Sequence, residues 1–166
     1  MLYCKTCVLP DTRPGLEFDT EKGTCNCSYS RSDTRPSKKS RLKEFEHLVE
    51  KTKSLGGDWD CIIPVSGGKD STWQTIKALE YGLRPLCVTW RTPSRTEIGQ
   101  ANLENLISLG VDHLDVSVSP KVEKEFTKNA FEKVGIPALP MHMALFSIPT
   151  NIAIRFNVPL VIWGEN

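Results

Sequence analysis

The segment that most constrains the fold is 66–71, Ser-Gly-Gly-Lys-Asp-Ser, because of what flanks it. The apolar run 61–65 before it is typical of a buried strand, and residues 71–81 after it have helical spacing. Consecutive glycines allow a sharp turn and leave backbone N–H groups free at the start of that helix, where its partial positive charge attracts phosphate. The sequence therefore predicts a strand, an anion-binding loop and a helix in direct succession.

Apolar β-rich runs alternate with helical patterns along the rest of the chain, which is typical of α/β proteins. We predict a doubly wound parallel sheet with helices on both faces, and Pro149 is expected to kink or split the last helix. The predicted strands are 61–65, 85–90, 113–118 and 159–163, and the predicted helices are 71–81, 96–109, 121–134 and 141–156.

Each polar residue of the loop has a chemical role that suits the binding of a nucleoside triphosphate. Ser66 and Ser71 can donate hydroxyl hydrogen bonds to phosphate oxygens, and Lys69 supplies a positive charge. Asp70 would repel phosphate unless it binds Mg²⁺ or caps the helix. The alternative is a glycine-rich turn that only joins a strand to a helix. The predicted ATP-binding residues of the loop are Ser66, Gly67, Gly68, Lys69, Asp70 and Ser71.

The loop lacks Walker A spacing and resembles instead the PP-loop of the N-type ATP pyrophosphatases, which adenylate an acceptor carbonyl. This resemblance implies that Val88 and Thr89, at the end of the second strand, lie beside adenine or ribose. It also implies that Gly164 and Glu165 face the reacting phosphate, where Glu165 would bind Mg²⁺ or position the acceptor. The implied catalytic residues are Lys69, Asp70 and Glu165.

The N-terminal region contains cysteines at metal-ligand spacing, Cys4-x-x-Cys7 and Cys25-x-Cys27. Four thiolates around Zn²⁺ would hold together a segment too short to bury a core of its own, so we predict a zinc-ribbon-like module. Three cysteines completed by another residue, or no metal, are the alternatives. Cys61 and Cys87 lie on apolar strands and are predicted core residues.

A polar linker, residues 30–40, follows the cysteines and separates two predicted domains. These are 1–40, the zinc module with its linker, and 41–166, the ATP-binding domain. The next helix is predicted from the spacing of Leu42, Phe45, Leu48 and Val49, and it should end at Gly56-Gly57.

The overall charge disfavours partners that bind by electrostatics alone. The formal net charge is +1, from 21 basic and 20 acidic side chains, so neither nucleic acid nor an anionic membrane is an expected partner. Neither a signal peptide nor an apolar span is recognisable, and we expect a cytoplasmic protein without membrane insertion.

The whole chain resembles the N-acetyl sugar amidotransferases of surface-polysaccharide (lipopolysaccharide) and nonulosonic-acid biosynthesis. The segments that carry the resemblance are 3–15, 18–25, 60–72, 99–105 and 159–166. It implies that ATP activates the acetamido oxygen of an N-acetylated sugar, and that ammonia from a separate glutaminase then displaces AMP. It also implies a further C-terminal part beyond residue 166. The family usually has a second CxxC pair where this chain has Cys25-Asn26-Cys27.

Two other functions remain open at this point. A tRNA sulfur transferase could also join a zinc module to a PP-loop domain, although no cysteine follows Cys87 and the net charge offers little to tRNA. A non-catalytic fragment that binds ATP or a partner is the second alternative. No catalytic role is assigned to His47, His113 or His142.

Overall fold

The computed structural model of the chain describes residues 1–27 and 36–164. The chain divides into two compact units, residues 1–46 and 47–166. Among the described residues, no helix has the length and apolar character needed to cross a membrane.

The N-terminal unit is built from a turn and a hairpin. In the turn, the Cys4 amide donates to the Leu9 carbonyl at 2.9 Å, and the Val8 amide donates back to the Cys4 carbonyl at 2.9 Å. The hairpin pairs β1 (Phe18–Asp19) with β2 (Thr24–Cys25) in antiparallel register, Phe18 opposite Cys25. This pairing brings Cys25 back toward the N-terminal turn, because the Lys5 amide donates to the Gly23 carbonyl at 2.9 Å.

Helix α1 (Lys38–Ser54) begins earlier than the sequence predicts. Residues 38–40 belong to this helix and not to a linker, which corrects the predicted linker over 30–40 at its C-terminal end. The reason is a helix cap, since the Ser37 hydroxyl accepts a hydrogen bond from the Ser40 amide at 3.1 Å. Residues 28–35 lie outside the described part of the chain. The helix ends just before Gly56 and Gly57, which both have positive φ, as predicted.

The larger unit contains a parallel sheet of β3 (Cys61–Pro64), β4 (Pro85–Trp90) and β5 (Asp112–Val116), in that order. The first three predicted strands are therefore confirmed, with small shifts at their ends. Segment 159–163 lies on the free edge of β3, but it forms an isolated parallel bridge between Val161 and Ile62 instead of the predicted strand. Ile62 donates to the Leu160 carbonyl at 2.8 Å and accepts from the Ile162 amide at 2.9 Å.

The bridge stays short because of proline. Alternate residues of a parallel strand bond to the same neighbour, so Pro64 is the next residue of β3 that would face segment 159–163. Proline has no N–H to donate, and the ladder ends after Ile62.

The remaining helices are α2 (Lys69–Glu80), α3 (Glu97–Ile107), α4 (Pro120–Val134) and α5 (Leu139–Arg155). They match the predicted helices to within a few residues. Helix α5 runs through Pro149 without interruption, so the predicted split does not occur. Proline in a helix interior removes one backbone hydrogen bond, and burial of Pro149 against its neighbours offsets that loss.

Helices cover both faces of the sheet. On one face Ile62, Leu86 and Val88 form a buried cluster with Ala153 of α5 and with Val158. On the other face the Thr75 hydroxyl of α2 lies 3.9 Å from the Cys87 sulfur. Neighbouring residues of a strand point to opposite faces, so α2 and α5 lie on opposite sides of the sheet. The predicted doubly wound arrangement is confirmed, as is the prediction that Cys61 and Cys87 are core residues.

The order of the strands fixes where a ligand would bind. From β3 the chain moves outward to β4 and β5, and it then returns to place segment 159–163 on the opposite edge of β3. The direction of winding therefore reverses between β3 and that segment. In open α/β sheets, ligands bind beyond the carboxyl ends of the strands at such a reversal.

Candidate functional site

The loop after β3 lies at this reversal, and its shape depends on Gly67. Gly67 is buried with a φ of +80°, and a Cβ there would lie 2.7 Å from the backbone nitrogen of Leu103 in α3. No side chain fits so close to backbone atoms, and the conformation itself disfavours every other residue. The loop is therefore pressed against α3 by a position that only glycine can occupy.

Hydrogen bonds within the loop hold its remaining residues in place. The Ser66 hydroxyl accepts from the Gly68 amide at 3.3 Å, and the Ser71 hydroxyl donates to the Gly68 carbonyl at 3.1 Å. The Thr72 hydroxyl donates to the same carbonyl at 2.9 Å. These contacts close the loop onto the first turn of α2 without using external groups, so the loop is preformed.

At the start of α2, the first helix amides lack a capping side chain among the described residues. Gly68 is the N-cap residue of this helix, and no side chain caps it. The first amides of a helix have no partner within the helix, and together with the helix dipole they form an anion site. Asp70 lies in the first turn and makes no cap hydrogen bond to this helix, and its predicted binding of a cation stays a prediction.

The charged side chains of the loop are available to a ligand. Lys69 and Asp70 are both exposed, and within residues 1–27 and 36–164 neither makes a hydrogen bond or an ion pair. Some other charges of the sheet domain are paired. Arg95, for example, binds both carboxylate oxygens of Asp115, at 2.7 and 2.8 Å. An unpaired lysine and aspartate beside free helix amides match what a phosphate group with a divalent cation requires.

A comparison with known structures finds a similar fold. The chain is similar to NMN synthetase from Francisella tularensis, with a TM-score of 0.55 and 18% sequence identity, over 76% of this chain and 54% of that one. The chain shares the α/β fold of this neighbour over the matched residues. It spans about half the length of this structural neighbour. No protein-family model matches the sequence, and a search of curated proteins also finds no match.

Within this fold, the residues predicted to flank the nucleotide have interior contacts. Val88 is buried, and its carbonyl accepts from the Val65 amide at 2.9 Å. The Thr89 hydroxyl donates to the Val65 carbonyl at 2.8 Å and contacts His113 Nε2 at 2.9 Å. Both residues thus brace the strand end that leads into the PP-loop. Their proximity to adenine or ribose stays a prediction.

Gly164 lies at the end of segment 159–163, on the other side of the strand reversal. Its Cα packs against the Gln74 carboxamide of α2, so that a Cβ would lie 2.8 Å from Gln74 Oε1. Glu165, the third predicted catalytic residue, lies outside the described residues together with Asn166. The structure therefore brings the PP-loop and Gly164 to one edge of the sheet.

Two polar contacts near the site were not predicted from the sequence. Gln74 Nε2 donates to the Trp163 carbonyl at 2.7 Å, and the Arg95 guanidinium donates to the Asp115 carboxylate at 2.7 and 2.8 Å. The sequence did contain one signal that Gln74 lies near the loop, since Gln74 follows Ser71 by one helical turn and therefore lies on the same face of α2. No comparable spacing links Arg95 with Asp115.

The N-terminal unit holds a second candidate site. The sulfur atoms of Cys4, Cys7 and Cys25 all lie within 4.8 Å of one another, and those of Cys7 and Cys25 are 3.3 Å apart. The pKa of the Cys4 thiol is lowered to about 6. The largest cause is a hydrogen bond with the Cys7 backbone, and a hydrogen bond with the Thr6 backbone also lowers it. Three converging thiols, one already favoured as thiolate, suit zinc, which prefers sulfur ligands in tetrahedral geometry.

Cys27 lies outside this cluster of three, although its thiol interacts with those of Cys7 and Cys25. Its role as a fourth zinc ligand stays a prediction. The structure thus brings together the first three of the four predicted ligands.

Proposed function

We propose that the chain binds Mg-ATP at its PP-loop and uses it to adenylate an acceptor carbonyl. The observation that carries the proposal is the preformed loop of residues 66–71 at the reversal of the strand order. In the part of the chain that the structure describes, its exposed Lys69 and Asp70 side chains are unpaired, and the neighbouring helix amides are uncapped. Lys69 neutralises phosphate charge, and Asp70 holds Mg²⁺. Catalysis of phosphoryl and nucleotidyl transfer rests mainly on such positioning and charge stabilisation.

The acceptor we propose is the acetamido group of an N-acetylated sugar. Its oxygen attacks the α-phosphorus of ATP, and pyrophosphate leaves. Ammonia from a separate glutaminase then attacks the activated carbon, AMP leaves with the former amide oxygen, and loss of a proton gives an acetamidino group. The resemblance of the whole sequence to N-acetyl sugar amidotransferases supports this step, and Glu165 is proposed to bind Mg²⁺ or to position the acceptor. A cytoplasmic location would suit a reaction that consumes ATP.

The ATP site is tested by the substitution Lys69→Met. Because Lys69 is exposed and unpaired, the variant should keep the stability of the wild type. Loss of a charge-assisted contact should weaken ATP binding about 10- to 100-fold, measured by titration calorimetry with Mg²⁺ present. Lys121→Met is the matched control, because Lys121 is an exposed lysine in the first turn of α4. Equal ATP affinity of the two variants would overturn the proposed site.

The acceptor is tested with the wild-type chain, Mg-ATP and ammonium. N-acetylated uronic or nonulosonic sugars are supplied in one set of reactions and bulk tRNA in another, and nucleotides and products are identified by mass spectrometry. We expect AMP only with a sugar, together with a sugar product in which NH replaces oxygen. AMP only with tRNA would favour the sulfur transferase, and bound ATP without AMP would leave a binding fragment.

A further inference from the structure

The side chain of Gln74 connects helix α2, on one side of the strand reversal, with segment 159–163 on the other side. It projects from α2 one turn after Ser71, and its Nε2 donates to the Trp163 carbonyl at 2.7 Å across 89 residues of sequence. Only the nitrogen of a carboxamide can donate to a carbonyl, so this contact fixes the orientation of the group. The helix that begins at the PP-loop is thereby tied to the end of segment 159–163.

The other half of the carboxamide is directed at the next residue of the chain. Gln74 Oε1 is buried, and among the described residues it has no hydrogen-bond donor. It lies against Gly164, where a Cβ would be only 2.8 Å away. A buried acceptor without a donor is rare in proteins, and this one lies at the edge of the proposed ATP site.

Few other contacts hold the end of this segment. Its pairing with β3 is confined to Ile62, which bonds to Leu160 and Ile162. Beyond Ile162 the ladder has ended, and the Trp163 ring meets Phe146 at 5.1 Å between centroids. The carbonyl of Trp163 therefore depends on Gln74 for its hydrogen bond.

We propose that Gln74 is a positioning residue that couples occupation of the PP-loop to the placement of Trp163 and Gly164. A phosphate bound by the first turn of α2 would fix that turn, and the Gln74 carboxamide would transmit the constraint to the chain that leads to Glu165. The inference rests on the proposed ATP site. In this proposal Gln74 does not contact ATP, and its role therefore differs from that of the loop residues.

The test is hydrogen–deuterium exchange with and without Mg-ATP. In the wild type, ATP should slow exchange in the peptide around 66–72 and in the C-terminal peptide that contains Trp163 and Gly164. In Gln74→Met, which keeps the side-chain length but cannot donate, ATP should still protect the loop peptide, with an affinity within about threefold of wild type. Protection of the C-terminal peptide by ATP should be lost.

Glu80→Gln is the matched control, since Glu80 is an exposed polar residue at the other end of α2 that pairs with Lys77. It should retain protection of both peptides. Gly164→Ala provides a second perturbation that leaves α2 unchanged, because its Cβ would push the carboxamide of Gln74 aside. It should reproduce the loss at the C-terminal peptide.

The outcomes separate the two proposals. If ATP protects both peptides in Gln74→Met as in the wild type, or fails to protect the C-terminal peptide in the wild type, the coupling role of Gln74 is wrong. If ATP protects neither peptide in the wild type, the proposed ATP site fails, and the inference fails with it. A purely structural role for Gln74 would raise exchange in both peptides equally, with or without ATP.

Discussion

Thr89 shows how a single hydroxyl orders the strand end below the PP-loop. A hydroxyl has one proton, and Thr89 gives it to the Val65 carbonyl at 2.8 Å. The contact with His113 Nε2 at 2.9 Å then requires the proton on that nitrogen, which fixes the tautomer of the imidazole. Burial lowers the pKa of His113, with Arg95 adding to the effect and Asp115 opposing it. His113 is therefore a neutral donor that braces the chain entering the loop.

Asp60, just before β3, is a buried carboxylate that forms an ion pair with the half-exposed Arg84. Its side chain is 2% exposed, and it accepts from the Arg84 amide and guanidinium at 2.8 to 3.1 Å. Burial alone would raise the pKa of Asp60, but the hydrogen bonds and charge of Arg84 lower it below the ordinary value of 3.8. The carboxylate thus contributes stability in full above pH 3.8 and loses that contribution as the pH falls through its lower, folded-state pKa.

We predict that Asp60→Asn lowers the free energy of unfolding by about 2 kcal/mol at neutral pH, since a hydrogen-bonded charge is lost from a buried position. The difference from wild type should shrink only below pH 3.8, where the wild-type carboxylate becomes protonated. Urea unfolding at a series of pH values measures both effects. Glu132→Gln, at an exposed surface pair, is the control. A difference that stays constant through the acid range would contradict the assignment.

At the scale of elements, the conformation of the PP-loop depends on close packing of its backbone against α3. Gly67 can approach Leu103 closely because it has no side chain. Gly68 is the helix cap, with a φ of −73°, and a Cβ there would make a tight contact of 3.3 Å with the Ser66 hydroxyl, which a small movement of that side chain relieves. Adjacent glycines of the same loop therefore have different requirements. Only the first depends on the packing of another helix.

We predict that Gly67→Ala costs on the order of 3 kcal/mol of stability, from the strained φ and the collision with backbone atoms of α3. It should also abolish ATP binding by displacing the loop. Gly68→Ala, the neighbouring control, should cost less than about 1 kcal/mol, because Ala at a helix cap is only moderately unfavourable. Thermal unfolding and ATP titration of both variants measure the contrast, and similar losses in the two would show that the loop does not need α3.

The elements that the sequence predicted are those with local signals. Helices α2 to α5 and the first strands follow from periodicity and from Gly and Pro punctuation. The short pairing of segment 159–163 depends on where Pro64 falls relative to Ile62 in a neighbouring strand, and the early start of α1 depends on a cap at Ser37. The Gln74 contact with Trp163 joins residues 89 positions apart, and no local pattern encodes it.

At the scale of the whole molecule, the two compact units have different sources of stability. The larger unit buries a core of strand and helix residues that includes Ile62, Leu86 and Val88. In the smaller unit, the fully buried apolar residues described are cysteines, Cys4 and Cys25. A unit of this size whose described residues form no apolar core needs a cross-link, and a metal bound by the cysteines would supply one.

We predict that the purified chain contains zinc, bound by Cys4, Cys7 and Cys25. Serine at any of these positions should remove the metal, as measured by elemental mass spectrometry, while Cys61→Ala, at a buried cysteine of β3, should retain it. Because the cluster converges without Cys27, Cys27→Ser should weaken zinc binding less than Cys25→Ser does. Equal losses in these two variants would make Cys27 a full ligand.

Removal of the zinc with a chelator should then destabilise only the N-terminal unit. Without its cross-link, the segment that contains residues 1–27 should become sensitive to limited proteolysis, because binding of a structural zinc supplies the free energy that folds so small a module. The larger unit has its own core, so its thermal transition and its affinity for Mg-ATP should change little. Loss of ATP binding together with the metal would show instead that the zinc module supports the PP-loop, and that the two units do not fold independently.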